Sequence, residues 1–214
     1  IKKNKHYSIF DLKLNFPGKK ISIIKNIKIY LIGDHNITNT TASIAAALNI
    51  GIKIDKIKKA LKNFLGIQRR FTKVFSIKKR EFYDDYAHHP TEIKAVIKGV
   101  RQINDKRKII AVFQPHRYSR VKLLKNEFAG SFKYSNVVVL CPVYSAGEKL
   151  NYNYNQNNFS KLISKKSKTQ VINIQNRDEL KNYFNKNLLE DEIVICMGAG
   201  SISDWIRKIG EELT

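Results

Sequence analysis

Between Tyr83 and Glu92 the chain reads Tyr-Asp-Asp-Tyr-Ala-His-His-Pro-Thr-Glu. Asp84 and Asp85, the phenol of Tyr86 and the imidazoles of His88 and His89 are thereby crowded into one short stretch. Carboxylates accept hydrogen bonds from hydroxyl and ammonium groups, and an imidazole exchanges a proton near neutral pH. Any one of these residues alone reads as an ordinary loop or cap residue. Their density points instead to a site, because titratable groups cluster where chemistry is done. A second cluster is Gln114-Pro115-His116-Arg117-Tyr118-Ser119-Arg120. Guanidinium forks suit a two-bond grip on a carboxylate or a phosphate.

Both clusters sit where a strand gives way to a helix. Arg80 to Tyr83 reads as a short strand, and Pro90 suits the first turn of a helix, where a missing N–H costs nothing. Ile93, Val96, Ile97 and Val100 then recur at helical spacing. Lys108 to Phe113 is a continuous apolar run, as in a buried parallel strand, and a helical pattern resumes at Val121 with Leu123, Leu124 and Phe128. Two strand ends in successive βα units open onto the same edge of one sheet, which is where open α/β sheets bind ligands. Two more loops belong to this pattern. Pro142 to Glu148 is a third strand-end loop with Glu148 as its one charged candidate, and Met197-Gly198-Ala199-Gly200-Ser201 is a glycine turn between a strand and a helix. Such a turn cradles an anion in some folds, but close packing is the commoner reason for it.

From Gln68 onward the periodicity alternates. It predicts strands near 71–77, 81–84, 108–113, 136–141, 170–174 and 192–197, and helices near 90–103, 119–132, 156–165, 177–188 and 201–213. That order specifies an α/β fold with a mostly parallel sheet. Before Gln68 the pattern differs. Residues 7–32 alternate as strands about a turn at Pro17-Gly18. Gly33 to Leu48 reads as a helix closed by Gly51, and Lys53 to Phe64 as a second one with Ile57, Ala60, Leu61 and Phe64 on one face. The boundary falls near Gly66-Ile67-Gln68, giving units 1–67 and 68–214. The Asn-rich stretch 151–158 reads as a loop.

The net charge of +22 invites a nucleic-acid reading. The excess is Lys (31) over Arg (9), spread along the whole chain, and Lys, Ile and Asn make 80 of the 214 residues. These three share AT-rich codons, so base composition accounts for the charge without a nucleic-acid partner. No aromatic RNA-binding motif, zinc spacing or helix-turn-helix pattern supports that partner. No run of eighteen apolar residues indicates a membrane span, and no signal peptide is visible. Cys141 and Cys196 lie in apolar runs and read as reduced core thiols, which fits a cytoplasmic location.

Taken in order, six segments resemble the Mur ligases: Asp34-His35-Asn36-Ile37-Thr38-Asn39, Gly66-Ile67-Gln68-Arg69-Arg70-Phe71, Asp84 to Glu92, Phe113 to Arg120, Val143 to Glu148, and Met197 to Gly200. The resemblance implies a Rossmann-like C-terminal domain over 68–214, preceded at 1–67 by the tail of a central ATP-binding α/β domain. It implies an amide ligase in which ATP phosphorylates a carboxylate and an amine attacks the acyl phosphate. His116 to Arg120 favours a member that adds L-alanine to UDP-N-acetylmuramate over one that recycles murein tripeptide. By the same resemblance His35, Asn36, Asn39, Arg70 and Asp85 bind ATP, with Asp85 on the ribose hydroxyls. Tyr86, His88, Arg117 and Arg120 bind the amino acid, and His88 or His116 takes the amine proton. The family's phosphate loop and Mg2+ ligands, together with its UDP-binding domain, would lie upstream in cis or on a separate chain. The 214 residues have no Gly-x-x-x-x-Gly-Lys-Ser/Thr pattern, so the chain alone reads as an inactive fragment of such a ligase. The alternative is a non-catalytic nucleotide- or partner-binding module derived from one.

Overall fold

A computed structural model describes residues 1–4, 7–15, 21–149 and 154–214. The Pro17-Gly18 turn and the first part of the Asn-rich loop lie outside the described residues. The chain divides into two compact units, 1–66 with 102–104, and 67–101 with 105–214.

In the first unit, β1 (Lys2–Lys3), β2 (Ser8–Leu14) and β3 (Ser22–Ile29) form an antiparallel sheet in that order. Phe10 pairs with Ile27 and Ser8 with Ile29, which puts Phe10, Ile27 and Ile29 on the covered face. Helices α1 (Asp34–Asn49) and α2 (Ile54–Asn63) supply Ile37, Ile44 and Ile57 to the same core. The expected face of α2 needs correction. Ile57 is buried, but Ala60 is exposed. Phe64 has left helical geometry (φ −82°, ψ 110°) and is 42% exposed. The helix ends a residue before the apolar spacing does, and the face is Ile54, Ile57 and Leu61.

The second unit is built on six strands: β4 (Thr72–Ile77), β5 (Arg80–Asp85), β6 (Ile109–Phe113), β7 (Val137–Leu140), β8 (Gln170–Asn173) and β9 (Ile193–Met197). The sheet order is β4-β5-β9-β6-β7-β8, with β4 antiparallel to β5 and every other pairing parallel. Every residue of β6 and β9 is buried, as expected for strands covered on both faces. The helices are α3 (Pro90–Ile103), α4 (Tyr118–Leu123), α5 (Lys125–Ala129), α6 (Gln156–Ser167), α7 (Arg177–Asn187) and α8 (Ile202–Leu213). The single helix expected over 119–132 is two. The chain leaves helical geometry at Leu124 (φ −109°, ψ 25°), so Leu123 turns to solvent while Phe128 packs on Phe113 at 5.5 Å.

One feature of this order positions the site. β5 and β6 follow one another in the chain, yet β9 lies between them. The pairings Asp85↔Met197 and Phe113↔Met197 bring three carboxyl ends level. The crevice beyond β9, where the strand order reverses, is flanked by the loops that carry both clusters.

Candidate active site at the carboxyl edge of the sheet

Asp84 and Asp85 belong to β5, and the pleat of a strand sends successive side chains to opposite faces. The two carboxylates therefore do different things. Asp84 is fully buried, and its Oδ2 accepts from Ser203 Oγ at 2.6 Å and from Arg207 at 3.3 Å, with Arg69 Nε at 3.7 Å. It ties α8 and the 68–71 turn to the strand. Asp85 is 2% exposed; Oδ1 accepts from Ala87 N at 2.7 Å and Oδ2 from Phe71 N at 2.8 Å. Each oxygen keeps a second lone pair for an incoming hydroxyl. Burial pushes the Asp85 carboxyl up to about 6, against the opposing pull of the Ala87 and Phe71 amides and of Arg70.

The Asp84 arrangement is directly testable. Ser203→Ala removes a hydrogen bond to a fully buried carboxylate, which costs about 2 kcal/mol of stability. Denaturant unfolding of the chain measures it; a change below a few tenths would show that water or Arg207 replaces the hydroxyl.

Glu92 sits in the first turn of α3 and reaches back to the backbone N–H groups of His88 (3.0 Å) and His89 (3.2 Å). This half of a capping box fixes the loop that carries both histidines. The His88 ring has Nδ1 3.0 Å from the Tyr86 carbonyl and 3.4 Å from Glu92 Oε2. The preceding turn is held by Tyr86 N donating to the Arg69 carbonyl at 2.7 Å, with Arg69 and Phe71 both at positive φ (59° and 51°). Arg69 donates to the Gly198 carbonyl at 2.9 Å, and its guanidinium lies 4.7 Å from the Tyr86 ring centre. Arg70 lies 5.7 Å from the same ring and 4.0 Å from Glu92 Oε1.

The β6 loop is zipped to the β7 loop. His116 and Tyr144 form a parallel bridge, Arg117 N donates to Tyr144 O at 2.8 Å, and Tyr144 N donates to Pro115 O at 2.8 Å. Glu148 accepts from Ser119 N at 3.1 Å and also from its hydroxyl, and these bonds hold the Glu148 carboxyl below the usual range. Arg117 has φ 70°, a left-handed conformation that a non-glycine residue holds only when its surroundings dictate it. Its side chain is exposed. The Tyr144 ring stacks on His116 at 5.5 Å and 24°. A Cβ on Gly200 would come within 2.5 Å of Tyr144 Cγ, and one on Gly198 within 2.8 Å of the Gln114 carbonyl. The glycine turn therefore exists for close packing, the commoner of its two readings. Arg120 approaches His116 Nδ1 at 3.4 Å. Burial, then Arg120, His88 and Arg117, hold the His116 imidazole below its ordinary value, with Glu148 opposing.

The edge thus gathers Arg70, Asp85, Tyr86, His88, His116, Arg117 and Arg120 within one unit. The rings run in sequence, Tyr86 to His88 at 5.2 Å and His88 to His116 at 6.0 Å. His35, Asn36 and Asn39 lie on the first turns of α1 in the other unit. Asn36 Nδ2 donates to the Ile32 carbonyl at 2.7 Å, and Asn39 is exposed. Four residues that the quoted segments contain but to which no individual role was assigned join the edge: Arg69, Asp84, Gln114 and Tyr144. Gln114 bonds Ser201 Oγ and Ile202 N, both at 3.0 Å, and so ties the β6 loop to the start of α8. Each stands inside a quoted segment, but nothing in the sequence tells a buried tie from a site residue. Among the described residues no group of three or more His, Cys, Asp or Glu side chains could hold a metal ion.

Residues 69–200 match the family model for the Mur ligase, glutamate ligase domain. The chain belongs to the Mur ligase family. The match covers the edge just described, from Arg69 to Gly200. Among curated Mur ligases it is similar to the UDP-N-acetylmuramate–L-alanine ligase of Pelagibacter ubique, 49% identical over 211 residues, covering 99% of this chain and 46% of that protein. It is also similar to that of Jannaschia sp., 36% identical over 215 residues, covering 99% of this chain and 44% of that one. The chain spans about half the length of these relatives. Among solved Mur ligases, the UDP-N-acetylmuramate-alanine ligase of Thermotoga maritima superposes with a TM-score of 0.69 at 24% identity, over 97% of this chain and 45% of that one. The murein peptide ligase of Psychrobacter arcticus gives 0.67 at 18%, over 98% and 45%. At those identities the likeness speaks for the fold. No helix among the described residues is long and apolar enough to cross a membrane.

Proposed function

We propose that this chain is the C-terminal portion of an ATP-dependent ligase that joins L-alanine to UDP-N-acetylmuramate through an acyl phosphate. The observation that carries the reading is the convergence of Arg70, Asp85, Tyr86, His88, His116, Arg117 and Arg120 on one sheet edge beside β9. On this reading 1–67 ends a central ATP-binding domain and 68–214 is the C-terminal domain. Arg70 and Asp85 serve the ATP, with His35, Asn36 and Asn39 on its adenine side. Asp85 is suited to two ribose hydroxyls, since each oxygen has one lone pair committed to a backbone amide and one to spare. Tyr86, His88, His116, Arg117 and Arg120 serve the amino acid. Phosphoryl transfer runs through a loose, charge-spread transition state and asks for positioning and positive charge more than for covalent help. The Mg2+ that neutralises the phosphates is held by residues outside these 214. A cytoplasmic location and the absence of a nucleic-acid partner go with this reading.

Turnover provides the test. The purified chain releases no phosphate with ATP and L-alanine, because its sequence holds no phosphate loop. A complete protein containing it releases phosphate only with L-alanine and UDP-N-acetylmuramate present. Alanine-dependent release from residues 1–214 alone contradicts the fragment reading. The second reading is a non-catalytic nucleotide- or partner-binding module derived from such a ligase; an upstream reading frame without Gly-x-x-Gly-Lys-Thr would decide for it.

A further inference from the structure

The two histidines of the amino-acid side are chemically equivalent in sequence, but their surroundings divide them. His88 Nδ1 faces two acceptors, the Tyr86 carbonyl at 3.0 Å and Glu92 Oε2 at 3.4 Å. Neither can donate, so Nδ1 carries the hydrogen and the neutral ring keeps its lone pair on Nε2. His116 is the reverse. Its Nδ1 faces Arg120 at 3.4 Å, and a guanidinium only donates. Nδ1 is therefore the acceptor, and the neutral His116 ring carries its hydrogen on Nε2. The Tyr144 ring, itself backed by Gly200, stacks on His116 at 5.5 Å.

We infer that His88, through Nε2, takes the proton from the amine of L-alanine, while His116 is held as an N–H donor beside it. The inference rests on the ligase reading above. The ammonium gives one proton to His88 Nε2, and the amine nitrogen then attacks the acyl carbon. The C–N bond forms as the C–O bond to phosphate breaks. The bonding pair leaves on phosphate, which also takes the second amine proton. The resulting His88 imidazolium has Tyr86 O and Glu92 as partners on Nδ1. A proton arriving on His116 would instead meet Arg120, Arg117 and the neighbouring His88, with only Glu148 to offset them. Electrostatics and tautomer therefore select the same ring. The low value that Arg120 and burial impose on His116 supports its neutral, donating state at pH 7.

Two measurements test this. Long-range proton–nitrogen spectra of the 15N-histidine-labelled chain at pH 8 report the tautomers, with signals assigned through His88→Asn and His116→Gln. Hydrogen on Nδ1 of His88 and on Nε2 of His116 is expected; the opposite assignment overturns the inference. In the complete ligase, with ATP and UDP-N-acetylmuramate held saturating at every pH, kcat/KM for L-alanine is then followed against pH. His88→Asn retains the bond to the Tyr86 carbonyl but deletes Nε2, so the rate falls by about 10²–10⁴-fold and the acid-side limb disappears. His116→Gln keeps a donor at the Nε2 position, so the rate falls but the limb stays. A limb lost in His116→Gln and kept in His88→Asn overturns the inference. Should His88→Asn fail to fold by circular dichroism, His88→Gln serves in its place. Absence of alanine-dependent turnover in the complete protein defeats the ligase reading instead, a result the tautomer spectra cannot mimic.

Discussion

Replacing Arg117 or Arg120 by alanine in the complete ligase is expected to raise the KM for L-alanine far more than that for ATP. The expected loss is about 2–4 kcal/mol of kcat/KM for L-alanine. The two guanidinium groups are prepared differently. Among the described residues no carboxylate or carbonyl takes the Arg117 side chain, although its backbone is held at φ 70° by the bond from its N–H to the Tyr144 carbonyl. Strained backbone and uncommitted charge together describe a group placed for a ligand. Arg120 lies one turn on and leans on His116. An Arg-to-carboxylate pair draws its strength from fixed forks, so Lys should recover only part of the loss at either position. Steady-state kinetics with each substrate varied in turn decides the matter. An unchanged alanine KM with a raised ATP KM would move both arginines to the nucleotide side.

The second large effect belongs to Asp85 and runs against the habit of carboxylates. Its folded value of about 6 lies above the ordinary 3.8, so the protonated form is favoured by folding. Its contribution is therefore fully present below pH 3.8 and is lost as pH climbs through about 6. A rise of about two units corresponds to ~3 kcal/mol. Asp85→Asn cannot titrate, so the stability of the native chain relative to this variant should fall by that amount between about pH 3 and pH 7. Parallel urea unfolding across this range measures the difference. A difference that does not change with pH refutes the picture of a carboxyl whose burial outweighs its two backbone hydrogen bonds. Ribose hydroxyls donate to the ionised form, so bound nucleotide opposes the penalty. ATP affinity of the complete ligase should accordingly weaken by up to about tenfold per pH unit below 6.

Most of the sheet was readable in the sequence because its strands are bounded by chemistry that punctuates them. β6 and β9 are unbroken apolar runs that stop at Gln114-Pro115 and at Gly198. α3 begins at Pro90 with Glu92 as its cap. What periodicity could not give was phase at helix ends. The break at Leu124 leaves no mark in a pattern where Val121 and Phe128 are both apolar and seven apart, and Phe64 keeps helical spacing after the helix has ended. The two clusters were visible as clusters because their types are rare together. The division of labour inside them was not. Asp84 and Asp85 are adjacent and identical, and only the pleat sends one to Ser203 and the other to the Phe71 and Ala87 amides. His88 and His116 likewise differ only in what lies against Nδ1. The role of Tyr144 was unreadable because its partners, His116 and Gly200, are 28 and 56 residues away in the chain.

The place of β9 in the sheet has a consequence for how the protein is made. A ribosome delivers β4 through β8 before the strand that belongs between β5 and β6 exists. Until Met197 has cleared the exit tunnel, the inner edges of β5 and β6 carry backbone groups with no neighbour. The nascent chain must then either hold a gap open or pair those edges wrongly and undo the error, and such late, long-range pairing is slow. A premature stop anywhere before Ile193 removes the keystone strand and leaves two sticky edges for chaperones and proteases to find. The same order means that no chain lacking β9 can present both clusters in register, so the edge becomes competent only after Met197 has been made.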